Sequence, residues 1–149
     1  MRTESLADIY NYLEIDNSLG TAGQPTAEQF DLIRQAGFQT VINLALPISD
    51  NAIANEGSIV TGHGMRYIHI PVDFASPQAK DYHLFSAIMD GCREQKVFVH
   101  CAANMRVSAY VYLYRTRNLN VPAEEARRDL HSIWEPDETW TAFMKSIDG

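Results

Sequence analysis

Two cysteines in 149 residues cannot build a disulfide framework, and their scarcity favours a reducing compartment where a thiol stays free. Clustered cations are equally scarce: the formal net charge is −7, and no run of lysine and arginine occurs. That argues against nucleic acid or an anionic membrane as the main partner, since both need a basic face to displace counterions. An anionic substrate stays open, because a local site can be positive on an acidic protein. Long apolar runs are missing too. The densest, Ala109 to Tyr114, falls far short of the roughly 20 residues a membrane-spanning helix needs. Met1 to Ser5 opens no apolar stretch, so no secretory signal is expected and the cytoplasm is the expected location. The five histidines have no metal-ligand spacing with one another or with the cysteines, so no zinc site is expected.

What remains is ordinary for a globular chain: 46% apolar and 21% charged residues. With no linker, repeat or low-complexity tract, residues 1–149 read as a single domain. Ser5 to Tyr12 can form a short helix, and Asn17 to Pro25 reads as loop with a short edge strand. A helix begins at Thr26, where Thr26 and Gln29 have capping-box spacing, and Gly37 can end it. Thr40 to Leu44, Arg66 to Ile70 and Lys96 to His100 read as strands. Helices are expected from about Ala52 to Thr61, after Ser76-Pro77 as N-cap and first position, over Val107 to Leu119, from Pro122, and from Asp137 as N-cap. The helix after Ser76 carries Leu84, Ile88 and Cys92 as an apparent core stripe.

Strands separated by helices need crossover connections, which predicts an α/β fold with a mainly parallel central sheet flanked by helices on both faces. Ligands in such sheets bind outside the carboxyl ends of the strands. Three loops share that edge: Ala45 to Asn51, Pro71 to Ser76, and Cys101 to Arg106. Asp50 and Asn51 in the first of these read as a cap for the following helix.

The stretch His100-Cys101-Ala102-Ala103-Asn104-Met105-Arg106-Val107-Ser108 runs from a buried strand into a buried helix. Amides at a helix N-terminus make an anion site, and the same field stabilises a thiolate at Cys101. Arg106 adds a planar two-pronged donor for phosphate oxygens. The loop has no glycine, but Asn104 can adopt a left-handed conformation at modest cost.

These residues resemble the signature of the cysteine-dependent tyrosine and dual-specificity phosphatases: His-Cys, a short loop, Arg, and a nearby Ser or Thr. The resemblance extends to Tyr67-Ile68-His69-Ile70-Pro71-Val72-Asp73 and to the Val97-Phe98-Val99-His100-Cys101 strand. Upstream, Ala22-Gly23-Gln24-Pro25-Thr26 through Leu44 is similar to a bacterial phosphatase-like family that includes the phosphatase-like domain of beta-lactamase-hydrolase-like proteins. The resemblance implies Cys101 as the nucleophile that forms a phosphocysteine, and phosphate held by Arg106 and by the amides of Ala102, Ala103, Asn104 and Met105. It further implies Asp73 as general acid and then base, Ser108 as a hydrogen-bond donor to the thiolate, and His100 as a brace. It implies no metal or organic cofactor, and a phosphorylated protein or small-molecule phosphate as substrate. Oligomeric state is not legible.

One departure bears on activity. Four residues separate Cys101 from Arg106 where the phosphatase signature has five, a spacing the bacterial phosphatase-like family shares. A weakly active phosphate-binding regulatory module and a sulfurtransferase working through a Cys101 persulfide therefore stand as alternatives. Trp134-Glu135-Pro136-Asp137 imitates the acid-loop motif of tyrosine phosphatases but follows the cysteine loop instead of preceding it, and reads as a turn and helix start.

Overall fold

The computed structural model describes residues 4–148; the expectation for the first residues, Met1 to Thr3, lies outside them. In chain order the elements are β1 (Leu13–Asp16), β2 (Leu19–Ala22), α1 (Gln29–Gln35), β3 (Thr40–Asn43), α2 (Glu56–Gly62), β4 (Arg66–His69), α3 (Ala79–Gly91), β5 (Val97–His100), α4 (Met105–Asn118), α5 (Ala123–Ile133) and α6 (Glu138–Asp148). Among the described residues the sheet has five strands in the order β1-β2-β5-β3-β4. The four strands β2, β5, β3 and β4 run parallel, and β1 pairs antiparallel with β2. This is the expected α/β architecture, with the carboxyl ends of β3, β4 and β5 on one edge.

The strands alternate their side chains between two apolar layers, as the two-residue period of a strand requires. Val97, Val99 and Ile42 join Tyr82, Phe85, Tyr110 and Trp140 on the side covered by α3, α4 and α6. Phe98 and Val41 join Phe30, Ile33 and Val60 on the side covered by α1 and α2. Helix α4 lies against the sheet with Val107, Ala109, Tyr110, Val111, Leu113 and Tyr114 all buried, the burial its nearly all-round apolar sequence calls for.

Several expectations are corrected. Ser5 to Tyr12 makes only one 3-10 turn, Leu6–Asp8, closed by the Ser5 amide donating to the Asp8 carboxylate (2.8 Å). The chain then enters β1, where half-buried Leu13 and Ile15 alternate with exposed Glu14 and Asp16, a pattern too short to identify a strand. A turn in which the Ser18 amide donates to Asp16 Oδ1 (2.8 Å) leads into β2. That strand is interior, between β1 and β5, and not an edge strand. Thr26 and Gln29 make the expected reciprocal bonds (Gln29 N to Thr26 Oγ1, 3.2 Å; Thr26 N to Gln29 Oε1, 2.9 Å), but they form the turn leading into α1. Helix α3 begins at Ala79, two residues past Pro77.

The buried face of α3 is also corrected. It carries Tyr82, Phe85, Met89 and Cys92, whereas Leu84 is 51% exposed. Moving one residue along a helix turns the side chain by about 100°, so Leu84 faces water beside Phe85, whereas Ile88, half-buried, and Cys92 pack against the core as expected. Among the described residues no helix is long and apolar enough to cross a membrane. This corrected face is testable by urea denaturation. Phe85→Ala is expected to cost about 3–5 kcal/mol, whereas Leu84→Ala should stay within about 0.5 kcal/mol of wild type. Comparable losses from the two would contradict the packing described.

Candidate active site

The loop after β5 reverses at Asn104, which takes a left-handed conformation (φ 66°, ψ 7°) before α4 begins. The Asn104 side chain explains why asparagine serves here without glycine: its Nδ2 donates to the Asn11 carbonyl (2.9 Å) and to Thr21 Oγ1 (3.2 Å), offsetting the steric cost. Neighbouring segments then take up the loop carbonyls. Ala102 O accepts from the Gln24 amide and from Asn51 Nδ2 (both 3.1 Å), and Ala103 O accepts from Asn11 Nδ2 (3.0 Å). A trans peptide is planar with N–H and C=O opposed, so the Ala103 amide points away from the donors to Ala102 O. Gly23 permits this close approach. A Cβ there would meet Ala102 O at 2.8 Å and the Tyr10 ring at 2.7 Å.

Beneath the loop lies a buried polar network. His100 is wholly buried; its Nδ1 faces the Cys101 carbonyl (3.2 Å) and its Nε2 faces Glu56 Oε2 (2.7 Å). A carbonyl oxygen can only accept, so Nδ1 carries a hydrogen, and Nε2 shares a proton with Glu56. The other Glu56 oxygen accepts from Gln24 Nε2 (2.7 Å). Burial alone pushes the Glu56 carboxyl up. Hydrogen bonds from His100, Gln24 and Tyr67 and the charge of the His100 ring outweigh burial and hold it below the usual carboxylate range. Tyr67, whose hydroxyl accepts from Asn43 Nδ2 (3.0 Å), is pushed up to about 12, first by burial. The Gly23-Gln24 pair stood out in the sequence, but nothing in the pattern marked Glu56 as buried.

Of the candidates on the sheet edge, Cys101 is fully buried at the end of β5, its amide donating to the Ala22 carbonyl (3.3 Å). Arg106 is also buried: its Nη1 donates to the Val72 carbonyl (2.9 Å), its guanidinium lies 5.9 Å from the Phe74 ring centroid, and its Nε has no protein partner. The 71–76 loop is thereby brought against the cysteine loop. Asp73 is exposed on it, with Oδ1 accepting from the Ala75 amide (3.0 Å).

Ser108 does not turn to Cys101. Its hydroxyl donates to the Met105 carbonyl (2.9 Å) and accepts from Trp134 Nε1 (3.0 Å), because a hydroxyl in the first turn of a helix reaches the carbonyl three residues back. Met105 opens α4, and Ala102 and Ala103 are half-buried along an open cleft of about 530 Å³ lined also by Tyr10, Ile48, Asp50 and Asn51. Asn51 thus lines the cleft and is not the expected helix cap, since α2 begins only at Glu56 with Asn55 before it, while Glu135 is turned to solvent near His131. Cys92 belongs to the opposite end of the sheet, its carbonyl accepting from the Gln95 amide just before β5. The four-residue strand between it and Cys101 spans about 13 Å, too far for a disulfide. Among the described residues no group of three or more His, Cys, Asp or Glu side chains could hold a metal ion.

The sequence profile of the family described as DSP-PTPase phosphatase fused to NAD+ kinase matches residues 5–145. Among solved structures, a putative phosphatase (DUF442) from Shewanella putrefaciens is 34% identical with a TM-score of 0.86, over 96% of this chain and 94% of that one. The fold is shared with TpbA from P. aeruginosa, solved in complex with pTyr, at 14% identity and a TM-score of 0.73, covering 97% of this chain and 87% of that one. It is shared as well with Tk-PTP, solved in its active form, at 16% identity and a TM-score of 0.77, covering 93% of this chain and 96% of that one. No curated protein sequence matches the chain.

The buried pair gives a pH-dependent prediction. A carboxyl held below its unfolded-state pKa contributes stability at neutral pH that is lost as pH falls through its folded-state value. Glu56→Gln is expected to lower stability by about 3 kcal/mol near neutral pH, with the deficit narrowing below the ordinary glutamate range. Urea midpoints collected from about pH 7 to about pH 3 check this. A deficit constant over that window would contradict it.

Proposed function

This chain belongs to the family of DSP-PTPase phosphatases described as fused to NAD+ kinase, and on that premise we propose that it hydrolyses phosphomonoesters through a phosphocysteine at Cys101. The observation that carries the reading is the convergence of three parts. Cys101 lies at the end of β5 below the first turn of α4, and Arg106 bonds the carbonyl that immediately precedes Asp73.

The amides of Ala102, Ala103, Asn104 and Met105 and the free Nε edge of Arg106 hold the phosphoryl oxygens as charge grows on them. The Cys101 thiolate attacks phosphorus, and the bond to the ester oxygen breaks as Asp73 supplies its proton. In the second step water attacks the phosphocysteine, Asp73 takes the proton, and the thiolate leaves with inorganic phosphate as product. His100, fixed by Glu56, braces the loop through the Cys101 carbonyl. Ser108 acts on the same loop by holding the Met105 carbonyl, and not by contacting the thiolate. The substrates are phosphorylated protein side chains or small-molecule phosphates, the reaction needs no metal or organic cofactor, and a reducing cytoplasm keeps Cys101 reduced.

A second reading, a phosphate-recognition module with little turnover, draws on the full burial of Cys101 and on the engagement of Arg106 with Val72. Steady-state assays with an aryl phosphate separate the two. Cys101→Ser is expected to lose activity by about 10³-fold or more while still binding inorganic phosphate. Asp73→Asn should lower kcat by about 10²-fold or more without weakening phosphate inhibition. Equal and negligible rates in wild type and Cys101→Ser, together with tight vanadate binding, would select the module.

A further inference from the structure

The mechanism above makes no use of the Trp134-Glu135-Pro136-Asp137 stretch, yet its surroundings touch both catalytic loops. The carbonyls of Val72 and Phe74 bracket Asp73, and each is held from the C-terminal half of the chain. Arg106 Nη1 donates to Val72 O (2.9 Å) and Trp140 Nε1 donates to Phe74 O (2.8 Å). The second indole reaches the other loop: Trp134 Nε1 donates to Ser108 Oγ (3.0 Å), whose hydroxyl holds the Met105 carbonyl where the cysteine loop passes into α4. Between them sits Phe74, its ring centroid 5.6 Å from Trp134 and 5.8 Å from Trp140, with the two indoles 6.3 Å apart. Asp137 Oδ1 accepts from the Trp140 amide (2.8 Å) and fixes the start of α6 that carries the Trp140 indole.

Any large apolar ring could fill this corner. Two indole N–H groups add direction, because a buried indole needs an acceptor: Trp140 takes one on the Asp73 loop, and Trp134 takes one in the first turn of α4, directly after the Cys101 loop. Trp140 is fully buried, so its acceptor cannot be exchanged for water without cost.

We propose that Trp134 and Trp140 are positioning residues that strap the Asp73 loop to the Cys101 loop and so set the path along which Asp73 delivers its proton to the leaving oxygen. The proposal rests on the reading of Asp73 as general acid and Cys101 as nucleophile. Its consequence is selective. A misplaced acid harms substrates whose leaving oxygen must be protonated and spares those whose leaving group departs as a stable anion.

The test compares kcat/KM, which reports only the steps up to departure of the leaving group and not the shared hydrolysis of the phosphocysteine, on a primary alkyl phosphate and on 4-nitrophenyl phosphate, with inhibition by inorganic phosphate as a measure of the anion site. Trp140→Phe keeps the ring and removes the N–H. It is expected to lose about 10-fold on the alkyl ester and less than about twofold on the nitrophenyl ester, with phosphate inhibition unchanged. Added to Asp73→Asn, it should cause no further selective loss. Trp134→Phe, at a half-buried position, carries the same expectation and serves if Trp140→Phe does not fold. Equal losses on both esters, or none, in a background where Asp73→Asn is selective would overturn the strap alone. An Asp73→Asn variant without selectivity would remove the acid assignment and the proposal together.

Discussion

The hydrogen bonds that fix the Ala102 and Ala103 carbonyls govern how the rest of the site is arranged. A short loop between a buried strand and a buried helix must turn its carbonyls away from any anion it is to hold, and three donors do that here: the Gln24 amide, Asn51 Nδ2 and Asn11 Nδ2. Each donor makes a demand on the fold. Gln24 requires β2 to run beside β5, which the β1–β2 hairpin achieves by joining the sheet with β2 against β5 and β1 at the edge. Gly23 must lack a side chain so that the two segments can touch. Asn51 requires the loop after β3 to fold back over the cysteine loop, and Asn11 couples the loop to the N-terminal turn.

Electrostatics follow the same economy. The chain has a net charge of −7 and no run of lysine and arginine, so the proposed phosphate site relies on oriented dipoles and one buried guanidinium. Burying Arg106 and the His100–Glu56 pair is costly unless their hydrogen-bonding capacity is met. Glu56 meets it with His100, Gln24 and Tyr67. Arg106 meets it in part with Val72, which ties the arginine to the loop bearing Asp73 and leaves its Nε without a protein partner, the edge assigned to phosphate in the proposed mechanism.

The sequence made some of this legible and hid the rest for identifiable reasons. The three parallel strands β3, β4 and β5 could be read because short runs holding β-branched and aromatic residues bounded by turns mark strands, and their order placed three loops on one edge. The left-handed turn at Asn104 could be read from the absence of glycine. The β1–β2 hairpin could not, since a four-residue strand with two half-buried positions carries almost no periodic signal. Helix α3 has apolar residues on more than one face, so Leu84 was a plausible core residue until Tyr82 and Phe85 were seen against α4. Glu56 and the two indoles were hidden for a different reason. Their partners lie 44, 26 and 66 residues away in the chain, and no local pattern reports such contacts. Ser108 showed the reverse error, a residue at the expected spacing whose hydroxyl is claimed by Met105 and Trp134.

The central claim is that Cys101 carries the phosphoryl group between the two half-reactions. Rapid acid quenching during turnover of an aryl phosphate, followed by peptide mass spectrometry, reads this directly. The account predicts a phosphoryl adduct on the peptide containing Cys101, growing in as the first equivalent of aryl product is released and absent from Cys101→Ser. Turnover with no adduct, or with the adduct on another residue, would contradict it.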